Sequence, residues 1–203
     1  MTKGQSIVGS SRAHGDREEH DFYPTPAYVT KALLDREFFP SPIWECACGD
    51  GAMSNAISNY KLQGKKKVFS SDLIDRGFGK GGVDFLKWNG GDFASIITNP
   101  PYKHSLEFVL QAKKVARMKI AMFLKTVFLE SERRYPMFKN KSFPLKCIYQ
   151  FSKRVTLYKA GEKMENSGMQ AYAWFVWERG YHGKPYIDWI CIGKEHKDQQ
   201  TFF

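Results

Sequence analysis

Ile43-Trp44-Glu45-Cys46-Ala47, running into Cys48-Gly49-Asp50-Gly51 and then Ala52-Met53-Ser54-Asn55-Ala56-Ile57, is the stretch on which the fold turns. The opening residues form a short apolar run of strand length. The two glycines mark a tight turn where backbone and ligand can approach closely. From Ala52 to Leu62, Met53, Ala56, Ile57 and Tyr60 recur at helical spacing, which predicts a helix. A helix that starts on such a turn aims its positive end at an anionic group. A bare Gly-x-Gly also occurs in ordinary turns, so these residues alone leave a plain turn open.

Working outward, strands and helices alternate. Thr25-Pro26 reads as a helix start, with Thr25 as N-cap, Pro26 in the first turn, and Val29, Leu33 and Leu34 on one face. Val68 to Asp72 and Ala94 to Thr98 read as strands, Leu106 to Ala116 as a helix, and Ile120 to Leu124 as a further strand. Such alternation predicts an α/β fold: a doubly wound, mostly parallel, Rossmann-like sheet. The tail differs. Ile148 to Tyr158 and Met169 to Glu178 are aromatic and β-rich, which predicts an antiparallel C-terminal hairpin closing the sheet edge, with Tyr186 to Ile192 as one more strand. Residues 1–20, rich in Gly, Ser and charge, read as a mobile arm, and residues 21–203 as a single domain.

Composition excludes several classes. The 42% apolar fraction suits a folded domain rather than a disordered chain. No apolar run reaches the roughly 18 residues of a membrane span. The N-terminus lacks the apolar core of a signal peptide, so the expected location is cytoplasmic. Cys46, Cys48, Cys147 and Cys191 are too scattered for a disulfide scaffold and lack zinc-knuckle spacing, so reduced thiols and no metal are expected. The net charge of +10 is concentrated: Lys103 to Lys159 alone carries +11. Aromatic rings interleave it (Tyr135, Phe138, Phe143, Tyr149, Phe151), a pattern suited to a polyanion with accessible bases.

In doubly wound sheets, ligands bind beyond the carboxyl ends of the strands. Four expected strand ends carry suggestive residues. Beside Glu45 to Gly51 stands Asp72, at the offset of an acid that accepts from a ribose diol. Asp84-Phe85 pairs an acceptor for an amino group with a ring for a purine face. Thr98-Asn99-Pro100-Pro101-Tyr102 follows Ser95-Ile96-Ile97 directly. Its prolines stiffen the turn and remove two backbone donors. The Asn99 side-chain oxygen and the Pro100 carbonyl can both accept from one amino group, and Tyr102 offers a ring to a planar base.

These residues resemble the class I S-adenosylmethionine-dependent amino-methyltransferases of the DNA N6-adenine type, particularly the small versions encoded by bacteriophages. Asn99-Pro100-Pro101-Tyr102 matches the family's Asn/Asp-Pro-Pro-Tyr/Phe signature in full. Glu45-Cys46-Ala47-Cys48-Gly49-Asp50-Gly51 is similar to its cofactor loop, with Cys46 where proline is common. The resemblance implies catalysis at Asn99 to Tyr102. It implies S-adenosylmethionine held by Tyr23, Thr25, Pro26, Glu45, Cys46, Ala47, Gly49, Gly51, Asp72, Asp84, Phe85 and Asn99, with Thr25-Pro26 at its carboxylate. The implied partner is DNA, with RNA as the alternative, and no membrane. A phage-encoded chain would work in the bacterial host cytoplasm, as monomer or weak dimer.

Members usually carry an added target-recognition region. Here residues 126–150 are the minimal candidate, so a short or relaxed target site is expected. Lys125, Arg133, Arg134, Lys139, Lys141 and Phe151 are the expected substrate contacts. Cytosine C5 chemistry would need a nucleophilic cysteine after proline, and no Pro-Cys pair occurs. N4-cytosine and RNA adenine methylation stay open, as does a non-catalytic nucleic-acid-binding protein of the same fold. Glutamine methyltransferases share the signature but carry a further N-terminal domain.

Overall fold

The computed structural model describes residues 22–157 and 170–192. The proposed arm at residues 1–20 lies outside them, as does most of the segment between the two expected hairpin strands. In chain order the elements are α1 (Ala27–Leu34), β1 (Ile43–Glu45), α2 (Ala52–Ser58), β2 (Val68–Ser70), β3 (Phe93–Thr98), α3 (Ser105–Val115), β4 (Ala116–Lys125), α4 (Tyr135–Lys139), β5 (Leu145–Phe151), β6 (Tyr172–Glu178) and β7 (Tyr186–Ile190). They form one seven-stranded sheet in the order β2-β1-β3-β4-β6-β5-β7. Strands β2, β1, β3 and β4 run parallel. Only β6 opposes its neighbours: it lies antiparallel to both β4 and β5. The expected hairpin is therefore present, but β6 is its inner strand, and β7 extends the sheet beyond it, parallel to β5.

Alternation along the strands divides the core. Ile97, Ala121, Phe123, Tyr149, Trp174 and Val176 face α1 and α2 through Val29, Leu33, Met53 and Ile57. Their neighbours Ile96, Ile120, Met122, Leu124, Phe175 and Trp177 face the other way, toward Phe108, Val109 and Ala112 of α3 and Met137 of α4. Both faces of the central strands are thus covered, which explains their near-continuous apolar runs.

At the amino edge of β4 sits a buried ion cluster. Glu37, just past α1, is 3% exposed. It accepts from Lys119 Nζ at 2.7 Å, Lys146 Nζ at 3.0 Å and Tyr149 Oη at 2.8 Å. Glu178 faces the same two lysines at 3.0 and 2.9 Å. Four charges from α1's tail, β4, β5 and β6 therefore neutralise one another. Burial opposes the Glu37 charge, but the bonds from Lys119, Lys146 and Tyr149 outweigh it and hold the carboxyl below its ordinary value.

Because the folded value is lowered, this stabilisation is complete above the unfolded value and is lost as pH falls through the folded one. Removing one partner from a buried pair costs roughly 3–5 kcal/mol. Urea denaturation of Glu37→Gln is expected to show a loss of that order at neutral pH, shrinking below about pH 4.5 as the wild-type carboxyl protonates. A pH-independent difference between the two proteins would contradict this account.

Candidate active site

Strand β1 has β2 on one side and β3 on the other, so the winding reverses between β1 and β3. The glycine loop leaves β1 there and Asn99 leaves β3. This is the crevice where open α/β sheets take ligands. Gly49 and Gly51 have φ of 55° and 84°, backbone that disfavours any side chain. The Gly51 amide closes the turn on the Cys48 carbonyl at 2.8 Å, and the Cys48 amide reaches the Ser71 carbonyl at 3.0 Å.

Asp72, the expected ribose acceptor, accepts from the Gly49 amide at 2.9 Å and from the Ile74 amide at 3.0 Å. Both oxygens thus serve the loop, and a carboxylate keeps further lone pairs for a ligand. Glu45 is 2% exposed and accepts from the Ser54 hydroxyl. Burial, reinforced by the charges of Asp72 and Asp50 and opposed by the Ser54 bond, pushes its carboxyl up to about 8. At neutral pH Glu45 is therefore an uncharged brace between β1 and α2. Cys46 is buried as well, and burial pushes its thiol well above the ordinary value, which removes it as a nucleophile. Among the described residues all four cysteines are free thiols and no metal-binding cluster occurs.

Two aromatic residues cover the loop. A side chain at Gly49 would run into the Phe22 ring, and one at Gly51 into the Phe78 ring. The Arg76 guanidinium lies 4.6 Å from the Phe22 centroid. The bare backbone at both glycines thus already admits a flat group in direct contact, and Asp72 stands at its rim. These residues fit the adenosyl cofactor that the loop's resemblance implies. Neither Phe22 nor Phe78 is a site residue by sequence reading; a ring inside the glycine-rich run Gly77 to Gly82 is the signal that was available.

Asn99 carries the most informative geometry. Its Nδ2 donates to Thr25 Oγ1 at 3.0 Å and lies 3.5 Å from the Tyr23 carbonyl oxygen. That carbonyl can only accept, so the amide nitrogen must face it. The opposite atom, Oδ1, is buried and has no hydrogen-bond partner among the described residues. Leaving a buried acceptor unmade costs about 1–3 kcal/mol, a cost that a donor brought by a ligand would remove. Thr25 is thus not the expected N-cap. The helix begins after Pro26, and the Thr25 hydroxyl is drawn instead to Asn99.

Tyr102 follows on a single 3-10 turn. Its ring lies 5.7 Å from that of Tyr172 at 35°, with Lys125 Nζ 4.8 Å from its centroid. Burial, with Tyr172 beside it, drives the phenol far above its ordinary value, so it stays protonated. Its hydroxyl is also without a partner among the described residues. Tyr172, stacked in turn on Phe123 at 5.1 Å, is a site neighbour that sequence spacing did not single out.

Several expected contacts belong elsewhere. Phe85 is 2% exposed and packs edge-on against Trp44, so its ring is engaged with the core. Asp84 caps the turn beneath it through the Leu86 amide at 3.0 Å. Phe151 is in the core against Phe123, because the alternation of β5 turns it inward. Arg134 spends its guanidinium on the carbonyls of Phe128, Val127 and Glu130. Arg133 is paired with Glu107 at 2.9 Å. Lys139 and Lys141 remain exposed, Lys139 beside the Tyr135 ring.

No protein-family model matches the sequence, and no curated protein matches it. Solved structures do. A methyltransferase subunit of a type I restriction-modification system from Streptococcus thermophilus aligns at TM-score 0.60 and 12% identity, over 82% of this chain and 47% of that one. A dimethyladenosine transferase from Plasmodium falciparum aligns at 0.50 and 15%, over 77% and 62%. Magnesium protoporphyrin IX methyltransferase from Synechocystis, with S-adenosylmethionine bound, aligns at 0.50 and 11%, over 75% and 76%. At these identities the likeness is one of fold, and the fold is the Rossmann-like methyltransferase sheet.

Thr25→Val is expected to free the Asn99 amide. Its side-chain NH2 resonances should shift and exchange faster with solvent, while Thr25→Ser keeps the wild-type spectrum. Unchanged Asn99 resonances in the valine variant would show that Thr25 does not orient the amide.

Proposed function

We propose that this chain is an S-adenosylmethionine-dependent methyltransferase acting on an exocyclic amino group, namely N6 of adenine in DNA, at a short or relaxed target site. The orphaned, oriented Oδ1 of Asn99 carries this reading. A buried acceptor left without a donor suits a substrate that brings N–H groups, and an aromatic amine does so.

Such a nitrogen is a poor nucleophile because its lone pair is delocalised into the ring. Asn99 Oδ1 and the Pro100 carbonyl would take one amino proton each in hydrogen bonds. That draws the nitrogen toward a pyramidal geometry and turns its lone pair out of the ring plane. Neither acceptor has to be a strong base, since the amine proton leaves only after charge develops. Catalysis on this account is positioning plus fixed dipoles. Bound over Gly49 and Gly51, S-adenosylmethionine supplies an electrophilic methyl group. Pro100 and Pro101 keep the acceptor pair rigid, and Tyr102 with Tyr172 holds one face of the pocket for a base drawn out of its stack. The net positive charge of the chain supports a nucleic-acid acceptor over a small amine.

Incubation with unmethylated DNA and, separately, RNA, followed by nucleoside mass spectrometry, tests the reading. N6-methyldeoxyadenosine is the expected product. N6-methyladenosine or N4-methylcytosine would move the acceptor to RNA or to cytosine, and no methylated nucleoside would favour a binding protein on a methyltransferase fold. Asn99→Ala should cut turnover by on the order of 100-fold or more while the cofactor dissociation constant stays near wild type. Equal loss of both would remove Asn99 from the catalytic role.

A further inference from the structure

We infer that the cleft between the first turn of α1 and the segment just past β5 carries the backbone of the substrate strand, with phosphates on Lys153 and Arg154 and a base against Tyr28. This rests on the nucleic-acid reading above and names a contact surface different from the one the sequence suggests. The cleft measures about 500 Å³ and is lined by Pro26, Tyr28, Lys153, Arg154, Thr156 and Ile192. Pro26 is the neighbour of Thr25, whose hydroxyl holds the Asn99 amide. Lys153 and Arg154 leave β5 at the same carboxyl edge of the sheet as Asn99 leaves β3. The cleft therefore lies along the same edge of the sheet as the orphaned acceptor, with the ends of β4 and β6 between them.

Lys153 and Arg154 are the cations that line this cleft. Six of the basic residues between Lys103 and Lys159 are already engaged. Arg117 is paired with Asp92, Lys119 and Lys146 with Glu37 and Glu178, and Arg133 with Glu107. Lys113 donates to the Met137 carbonyl, and burial pushes its amine down to about 8. Arg134 is consumed by its own loop. Lys153 and Arg154 are exposed, adjacent, and paired with no acid among the described residues. Cations not already neutralised are the ones that release counterions when a phosphate arrives. Tyr28, 44% exposed at the cleft wall, adds the flat surface on which an unstacked base gains contact.

The test is fluorescence anisotropy with a short labelled single-stranded DNA, and RNA of the same sequence in parallel, titrated at several salt concentrations. For Lys153→Gln/Arg154→Gln the slope of log K against log salt should fall by about 0.7 for each phosphate contact removed. Tyr28→Ala should weaken binding about tenfold with the slope retained. Arg133→Gln, which removes an already paired cation, should leave the slope near wild type. Thermal melts that match wild type show that each variant folds. An unchanged slope in the double variant, with the slope falling instead in Arg133→Gln or Lys139→Gln, would overturn the inference and move the strand onto residues 126–141. If the wild type bound neither DNA nor RNA at low salt, the nucleic-acid reading itself would fall, together with this surface.

Discussion

The hydrogen bond from Asn99 Nδ2 to Thr25 Oγ1 joins two parts of the chain that lie 74 residues apart. It ties the segment entering α1 to the end of β3, the strand at the centre of the parallel sheet. Everything that makes the crevice specific follows from the direction it imposes on one amide. With Nδ2 engaged, Oδ1 is left facing inward with no partner among the described residues. A planar amide cannot satisfy both ends by rotating, because the Tyr23 carbonyl on the Nδ2 side offers no proton. The acceptor is therefore held in place by the fold before any ligand is present, and preorganisation of this kind lowers a reaction barrier without further rearrangement.

The sheet spends its polar groups differently at its two ends. At the amino edge, Glu37, Lys119, Lys146 and Glu178 satisfy one another at 2.7 to 3.0 Å. At the carboxyl edge, Asn99 Oδ1 and the Tyr102 hydroxyl are buried and unsatisfied among the described residues. Unmade hydrogen bonds destabilise the fold, so they persist where a ligand completes them. The ion pairs gather at one end of the strands and Asn99 and Tyr102 at the other, with Phe123 and Trp174 packed between the two.

Sequence reading was strongest where the controlling contacts are local. The strand β3 and the turn at Asn99 are legible because an apolar run meets two prolines within a few residues. The glycine loop is legible for the same reason, and its positive φ angles bear that out. The Thr-Pro pair does stand at the start of α1, but the Thr25 hydroxyl answers to a residue 74 positions away instead of capping the helix. Arg133 looked available until α3 brought Glu107 beside it. Phe85 and Phe151 each stand next to a polar residue that suggests a binding role (Asp84 and Gln150), yet packing turns both rings into the core. The Phe22 and Phe78 rings over the loop depend on two separate chain segments folding back to one point, which no spacing rule records.

The chemistry of the crevice is set by what is absent from its charge balance at neutral pH. Glu45, the carboxyl at the end of β1, is pushed toward its protonated form because burial and the neighbouring Asp72 and Asp50 charges raise it to about 8. Cys46 stays a thiol and Tyr102 a phenol for the same reason, desolvation. None of these groups supplies a base or an anionic nucleophile. What remains is the Asp72 carboxylate on the glycine-loop side and, beside Asn99, a set of fixed dipoles and aromatic faces, with Lys125 over the Tyr102 ring. Such a lining lends itself to a reaction in which the substrate's own lone pair attacks and the protein only orients it. That character is the one the proposed methylation of an amino group requires.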